Sequence, residues 1–295
     1  MVKIRIIRSG KKEHYYLEHT IREGKRFRNK RKYLGNSLPE DIAELKENFV
    51  ISALEETYSK DLLQAKKEFK SEYSKYPESY KKKYLEGFMV KFTFNTNKIE
   101  GGTLTLKETA DLLQENITPP RKPVKDVREA EAHRNVFYQA LAHSKKPTLN
   151  TVLGWHRNLL IGTAPDIAGR IRRHQVAIAR SRAEMPLAVE LEALLREFFT
   201  WYSKNCDKMN PVIFAALVHL KFVSIHPFSD GNGRISRLMM NHALNLLGYP
   251  LLNIEYRNRN AYYTALERSQ VKKQPHIFVN YIIKRYLKEY LPGKR

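Results

Sequence analysis

The stretch "IHPFSDGNGRISRLMMNHALNLLG", Ile225 to Gly248, joins a polar loop to an apolar helix. The Gly-Asn-Gly run directly precedes the helical pattern, so several of its backbone N–H groups have no acceptor within the helix. Glycines let an anion approach the main chain closely, and the helix dipole adds positive potential. Arg234 and Arg237 are three residues apart, so both lie on one face of the first turn. This arrangement predicts an anion cradle that suits a polyphosphate better than a single carboxylate.

Two titratable side chains precede the cradle. Asp230 would be repelled by phosphates unless a cation lay between them, and Mg²⁺ bound by one carboxylate plus phosphate oxygens is the usual solution. His226, at the end of the preceding helix, can accept a proton near neutral pH. The alternative is an ordinary glycine turn with solvated arginines. Because all these groups occur together at these spacings, we favour a nucleotide phosphate clamp with a general base beside it.

Composition limits the class of protein. The chain has 295 residues, of which 42% are hydrophobic, so it can bury a substantial core. Its one cysteine, Cys206, excludes an intramolecular disulfide and a multi-cysteine zinc site, which fits a reducing compartment. The N-terminus has no signal-peptide pattern. The most apolar stretch, "PVIFAALVHLKFV", contains His219 and Lys221 and is too short to cross a bilayer. We therefore expect a cytoplasmic protein that does not enter the membrane.

Positive charge is concentrated at the two ends of the chain. The formal net charge is +22, and residues 1–36 alone hold 12 Lys/Arg against 3 Glu. Such a segment suits an acidic partner, either nucleic acid or an acidic protein surface, although a solvated basic surface is the alternative. Aromatic residues lie among these bases and suit stacking on nucleobases: Tyr15, Tyr16, Phe27 and Tyr33. Nucleic acid is therefore one candidate partner of residues 1–36.

The remaining patterns predict a mainly α fold. Three runs of β-forming residues separated by glycine turns predict a small basic β-meander at the N-terminus. Apolar residues at helical spacing dominate from Pro39 onwards. The segment "PDIAGRIRRHQVAIARSRAEMP", residues 165–186, interrupts them, and "HQVAIA" alternates like a strand, so we expect a β-hairpin flap there. The patterns predict four units: a meander at residues 1–36, a helical region at 37–147, a core domain at 148–286 and a basic tail at 287–295.

His226 to Arg237 resembles the signature of the Fic family, HxFx(D/E)GNGRxxR, and every position of that signature is present. The wider resemblance covers roughly residues 90–285. It implies a Fic-type helical bundle with a flap beside the active site. It also implies transfer of AMP from ATP, with Mg²⁺, to a hydroxyl side chain of a target protein.

The resemblance also implies roles for single residues. His226 would deprotonate the target hydroxyl, and Asp230 would hold Mg²⁺ on the α- and β-phosphates. Phe228 would point into the core and fix the loop. The nucleotide phosphates would be bound by Gly231, Asn232, Gly233, Arg234 and Arg237.

In the family, a flap strand pairs with a segment of the target and holds its hydroxyl in line. Residues 175–180 occupy this place here, so a target Tyr, Ser or Thr would dock on them. A buried core strand is the alternative. The residues expected to touch the nucleotide are Val176, Ala177, Ile178 and Ala179. Tyr262 and Tyr263 are candidates for bordering the adenine, although tyrosines on a helix are more often part of a core.

The segment "TNKIEG", Thr96 to Gly101, resembles the inhibitory motif of the family, [S/T]xxxE[G/N]. If Glu100 pairs with Arg237, it removes the partner of the γ-phosphate and holds ATP in an unproductive position. A surface glutamate at a helix end is the alternative.

Three functions are consistent with these patterns. The first is an autoinhibited protein adenylyltransferase that modifies a target protein and also itself. The second is a deadenylylase on the same fold, in which Glu100 positions a water. The third is a nucleic-acid-binding protein that acts through residues 1–36. No zinc-hydrolase or serine-hydrolase motif is present. The sequence leaves open the target and whether the protein forms homo-oligomers.

Overall fold

In the computed structural model, which describes residues 2–10, 12–23, 26–177 and 181–293, one small sheet precedes a set of helices. The strands are β1 (Lys3–Ser9), β2 (Lys12–Glu23) and β3 (Arg26–Gly35). The helices are α1 (Ile42–Ser74), α2 (Glu78–Ile99), α3 (Leu106–Glu115), α4 (Val124–Ala142), α5 (Leu149–Leu160), α6 (Leu191–Asn205), α7 (Pro211–Ile225), α8 (Asn232–Leu246), α9 (Arg259–Val271) and α10 (His276–Tyr290). The mainly α prediction is confirmed.

Helix α7 lies at the centre of the bundle. It is apolar on all sides, and such a helix is stable only when other elements surround it. It packs against α6, α8 and α10. Its start is fixed by Asn210, whose side-chain Oδ1 accepts the N–H of Val212 at 3.0 Å, and by Pro211 in the first turn. The polar loop that follows α7 is therefore attached to two helices of the core.

One hydrophobic core runs through the helical part of the chain. Its buried residues extend from Ile51 in α1 to Leu291, directly after α10. Helices on both sides of residue 147 contribute to it, and α10 continues past residue 286. The division of the chain at these two positions stays a prediction. Within the described residues, no helix is both long and apolar enough to cross a bilayer.

The N-terminal sheet is antiparallel in the order β1-β2-β3, which confirms the predicted meander. A sheet of this size needs further packing for stability. Leu17 of β2 is fully buried, and β2 packs on α1. Lys30 donates a hydrogen bond of 2.9 Å to Ser52 of α1 and forms an ion pair with Glu56. The sheet is thus fixed to α1.

The flap segment, residues 165–186, differs from its prediction. Its described parts, 165–177 and 181–186, contain no strand, so the hairpin is absent from them. A strand needs a ladder partner for its backbone groups, and here those groups bond elsewhere. The N–H of Arg172 donates to the carbonyl of Pro227 at 2.9 Å, and the Gln175 side chain donates to the carbonyl of Met185. Ile178 and Ala179 lie outside the described residues.

Candidate active site

The signature loop, His226 to Arg237, is closed by its own side chains. Asn232 Oδ1 accepts the N–H of Phe228 at 2.9 Å, and Asn232 Nδ2 donates to the Phe228 carbonyl at 2.8 Å. Phe228 is buried, as expected, and its ring stacks on His156 with the centroids 3.7 Å apart. Gly231, with φ of 80°, supplies the left-handed turn that precedes α8. Because the Asn232 side chain closes the loop, only its backbone N–H remains to contact an anion.

His226 is positioned as a base. It ends α7 in the left-handed region, with φ of 51°, an uncommon conformation for a non-glycine residue. Its Nδ1 lies 3.2 Å from the Val223 carbonyl, so the proton of the neutral ring is assigned to Nδ1 and the lone pair to Nε2. Burial lowers the pKa of His226 below its usual value. The ring is therefore neutral at pH 7 and able to accept a proton.

Asp230 has the properties of a magnesium ligand. Its Oδ1 accepts the N–H of Gly231 at 2.6 Å, and its Oδ2 lies 3.0 Å from Arg234 Nη2. Burial raises the pKa of Asp230, but Arg234 and the Gly231 N–H outweigh burial and lower the pKa overall. The described residues contain no group of three or more His, Cys, Asp or Glu that could hold a metal by themselves. Asp230 therefore fits an ion that is completed by phosphate oxygens and water.

Arg234 lies between two acids. Its Nη1 is 3.0 Å from Glu129 of α4, and its Nη2 bonds to Asp230. The side chain is only 2% exposed, and its Nε has no hydrogen-bond partner among the described residues. A buried donor without a partner is rare in proteins. It fits a site that binds an anion. No sequence pattern indicated Glu129, which lies on α4, far from Arg234 in the chain.

Arg237 is held by the end of α2. Its Nε donates to Thr96 Oγ1 at 2.6 Å, and its Nη2 donates to Glu100 Oε1 at 2.6 Å. The guanidinium is 1% exposed, so this ion pair is shielded from water on the arginine side. The predicted contact between Glu100 and Arg237 is thus present, and Thr96 of the same motif binds the same guanidinium.

Glu100 also lies against the anion cradle. Helix α2 ends at Ile99, and Gly101, with φ of 98°, turns the chain away. A Cβ added to Gly233 would overlap Glu100 Oε1 and come within 3.2 Å of Arg237 Nη1. A carboxylate of the protein itself therefore lies at the start of α8, where the helix attracts anions.

The prediction for Tyr262 is wrong. Its ring is 1% exposed, and its hydroxyl lies 3.3 Å from Arg237 Nη1 and 3.0 Å from His219 Nε2. Burial raises the pKa of Tyr262 to about 12, so the hydroxyl stays protonated. A ring enclosed in this way supports Arg237 and cannot stack on a base. Tyr263 is 44% exposed, and its hydroxyl donates to the Ile99 carbonyl, so it remains a candidate for bordering the adenine.

Arg172 joins the flap segment to the loop, a role that the sequence did not indicate. Its Nε donates to the His226 carbonyl at 2.8 Å. Its Nη1 and Nη2 donate to the carbonyls of His174 and Pro186, at 2.8 and 2.7 Å. One buried guanidinium thus binds the middle and the end of the flap segment, at His174 and Pro186, and also the residue proposed as the base. Val176 and Ala177 follow directly, and their contact with a nucleotide stays a prediction.

His156 is a second residue that the sequence did not indicate. Its Nδ1 accepts the N–H of Gly169 at 2.9 Å, so its Nε2 carries the proton and donates to the Asp230 carbonyl at 3.0 Å. Burial lowers the pKa of His156 to about 4, which keeps this tautomer neutral at pH 7. Helix α5 is thereby linked both to the start of the flap segment and to Asp230. A histidine inside an amphipathic helix has no sequence pattern that predicts such a contact.

Comparison with known proteins agrees with this site. The Fic/DOC family model matches residues 146–244. "Protein adenylyltransferase Fic" from Nematostella vectensis is 35% identical over 181 residues, which are 60% of this chain and 42% of the relative. The protein of the same name from Aedes aegypti is 33% identical over 183 residues, 60% of this chain and 36% of the relative. The match therefore spans less than half the length of these relatives.

Solved structures share the fold. A Fic domain containing signaling protein from Bacteroides thetaiotaomicron has a TM-score of 0.72 at 25% identity, over 78% of this chain and 95% of that one. A fragment of Fic-1 from C. elegans has a TM-score of 0.69 at 22% identity, over 86% of this chain and 77% of that one. The second likeness concerns the fold alone. The complete signature loop between α7 and α8 lies within residues 146–244, the part of this chain that matches the Fic/DOC family model.

Proposed function

We propose that this protein is an autoinhibited protein adenylyltransferase that transfers AMP from ATP to a hydroxyl side chain of a target protein. The observation that carries the proposal is the position of Glu100, a carboxylate seated on Gly233 and Arg237 within a complete signature loop. An anion of the protein there marks where an anionic substrate group would bind. The names of the relatives support the same chemistry.

The transfer uses groups that the loop holds in place. The target hydroxyl gives its proton to His226 Nε2 while its oxygen attacks the α-phosphorus. The bond between the α-phosphorus and the bridging oxygen breaks, and pyrophosphate leaves with the electron pair. The first N–H groups of α8 stabilise the charge that develops on the transferred phosphoryl group. Asp230 would hold Mg²⁺, which would neutralise charge on the phosphates.

Autoinhibition follows from competition for Arg237. While Glu100 holds this guanidinium, the terminal phosphate of ATP has no cation at that position and meets a carboxylate instead. ATP then binds with its α-phosphate out of line with the attacking hydroxyl. Removal of the carboxylate frees Arg237 for the nucleotide.

The test compares ATP labelled at the α-phosphate with ATP labelled at the γ-phosphate. With Mg²⁺, wild type should attach a little α-label to itself or to a target, Glu100→Gly should attach much more, and neither should attach γ-label. Arg237→Ala should stay low because it breaks the pair but also removes the phosphate partner. Transfer of γ-label would contradict the proposal.

The same experiment addresses the deadenylylase alternative. In that reaction Glu100, which is partly exposed, positions a water for attack on a modified target. Glu100→Gly would then show no gain in α-label incorporation. Instead, wild type would release AMP from adenylylated protein, and the Glu100→Gly variant would not.

Nucleic-acid binding is a second candidate function, favoured by the outer face of the sheet. Tyr16 and Tyr33 face each other across β2 and β3 with centroids 5.1 Å apart, and Tyr33 is half exposed. Arg5 and Arg31 lie on the same face and share one acid, Glu18. A labelled oligothymidylate should bind with an affinity that falls steeply with salt. Binding that Tyr33→Ala and Arg31→Ala leave unchanged would exclude this face.

A further inference from the structure

A long groove leads away from the signature loop. A cavity of about 860 Å³ beside Ser229 and one of about 890 Å³ beside Ser203 both include Ile171 and Glu192 in their walls. They form one continuous groove between α6 on one side and the start of α5 with residues 166–174 on the other. We call it the α6 groove. It ends at Ser229, a residue of the signature loop three positions after His226.

Positive charge prevails along the α6 groove. Four exposed cations line it, and none of them forms an ion pair within the described residues: Arg170, Arg173, Arg196 and Lys204. The acids in the walls are Asp166 and Glu192. Unpaired cations that outnumber acids around a concave surface attract a negatively charged occupant.

Apolar side chains lie on the same surface. Ile171 and Phe199 form part of its floor and are only partly buried. Val189 lines the groove and is 84% exposed, and the adjacent Leu187 is 57% exposed. Large apolar side chains that stay exposed beside a groove are typical of protein-binding surfaces. The occupant should therefore carry apolar as well as acidic side chains.

The dimensions suit an extended peptide. From Glu192 to Ser203, α6 rises by about 16 Å at about 1.5 Å per residue. An extended chain covers that distance with about five residues, at about 3.3 Å each. Such a segment could lie along α6 and continue past Ser229 to bring a hydroxyl to His226.

We propose that the α6 groove docks an acidic, apolar segment of the target protein, adjacent to the residue that receives AMP. This inference rests on the proposed transfer function and names the class of target segment. It adds a contact surface that lies outside the nucleotide site and outside residues 175–180 of the flap segment.

The probe is a fluorescein-labelled peptide of about ten residues that alternates Asp or Glu with Leu and ends in Thr. Its binding to full-length protein is followed by fluorescence anisotropy without nucleotide. The variant R196E/K204E, changed at two exposed sites on α6, should bind about tenfold more weakly or worse. A peptide with lysine in place of each acid should show the reverse preference. The matched control K82E/K83E, exposed on α2, should bind like wild type.

Three outcomes would contradict the proposal that the α6 groove docks an acidic peptide. These are equal binding by R196E/K204E and wild type, an equal loss in K82E/K83E, or no gain for the lysine peptide. Competition by oligothymidylate that depends on Arg196 and Lys204 would assign the surface to nucleic acid instead. A change from dimer to monomer in R196E/K204E, seen by light scattering, would assign it to a second copy. Because the peptide assay involves no transfer, its failure leaves the α-label test intact, and failure of that test leaves peptide binding measurable.

Discussion

The signature loop and the flap segment are neighbours, yet they obtain their shape in different ways. Within residues 226–232 of the loop, polar groups find partners a few residues away: Asn232 bonds to Phe228, and Asp230 bonds to the next N–H. The flap segment also has bonds of its own, from Arg172 to His174 and Pro186, but distant residues connect it to the rest of the molecule: Arg172 donates to the His226 carbonyl, and Glu267 accepts the N–H of Arg182. A segment that satisfies its own polar groups has a conformation that its sequence determines. A segment that relies on distant residues does not.

The largest expected effect comes from removing the base that the loop presents. In the Glu100→Gly background, His226→Ala should lower α-label incorporation by about 10²–10⁴-fold. ATP binding should change little, because the imidazole moves a proton and does not hold the phosphates. Incorporation and ATP affinity are measured on the same preparations. Loss of ATP binding, with normal turnover of the nucleotide that still binds, would contradict this role.

The next effect tests how the flap segment depends on Arg172. Lysine retains the charge but cannot donate to three carbonyls in fixed directions. In the Glu100→Gly background, Arg172→Lys should lower kcat by about 10–100-fold, because small displacements of reacting groups are costly. The KM for ATP should stay the same as in the Glu100→Gly protein. Initial rates at varied ATP, per folded protein, give both constants.

Arg268→Lys, an exposed change on α9, is the matched control for Arg172→Lys. It should leave both constants unchanged. If Arg172→Lys lowered only the folded fraction and left kcat per folded molecule intact, Arg172 would be structural and would not position His226.

The difference between loop and flap segment also explains what the sequence could predict. The helices and the meander follow from local patterns, whereas the pair of Glu100 with Arg237 follows from the resemblance of "TNKIEG" to the inhibitory motif of the family. Arg172 was missed because its partner His226 lies 54 residues away and an arginine in a basic run has no pattern of its own. No strand forms in the described part of "HQVAIA", residues 174–177, because alternation of polar and apolar residues cannot supply a ladder partner. The prediction that Tyr262 borders the adenine failed because helical spacing does not tell which of two adjacent tyrosines faces the core.

A smaller effect on incorporation is expected from the hydrogen bond between α2 and Arg237. The Thr96 side chain accepts one hydrogen bond from Arg237, and valine has nearly the same shape without that acceptor. Such a bond contributes about 1 kcal/mol, so Thr96→Val should raise α-label incorporation by about fivefold. Glu100→Gly should raise it further, because it removes a charged partner. Thr57→Val, on α1, is the control and should leave incorporation at the wild-type level. A decrease with Thr96→Val would mean that Thr96 aligns Arg237 for the nucleotide and does not restrain it.

The smallest expected effect is on the pH dependence of stability. It compares a buried histidine of α8 with an exposed histidine of the flap segment. His242 of α8 is buried, its Nε2 donates to the His143 carbonyl at 2.9 Å, and burial lowers its pKa to about 4. The unfolded chain binds this proton near pH 6.5, so the stabilising contribution is complete above that pH and is lost as pH falls towards 4. Between pH 7.5 and pH 6 the loss should be somewhat less than about 1 kcal/mol.

His242→Gln keeps a donor but does not titrate, so its melting temperature should fall less than that of wild type over this range. Each protein is compared with its own value at pH 7.5, which removes any general loss of stability from the substitution. His174→Gln, at an exposed position in the flap segment, should follow the wild-type curve. If His242→Gln and His174→Gln gave the same curve, burial of His242 would not be the source of the acid sensitivity. Helix α8 and the flap segment would then not differ in how their histidines change the stability of the protein with pH.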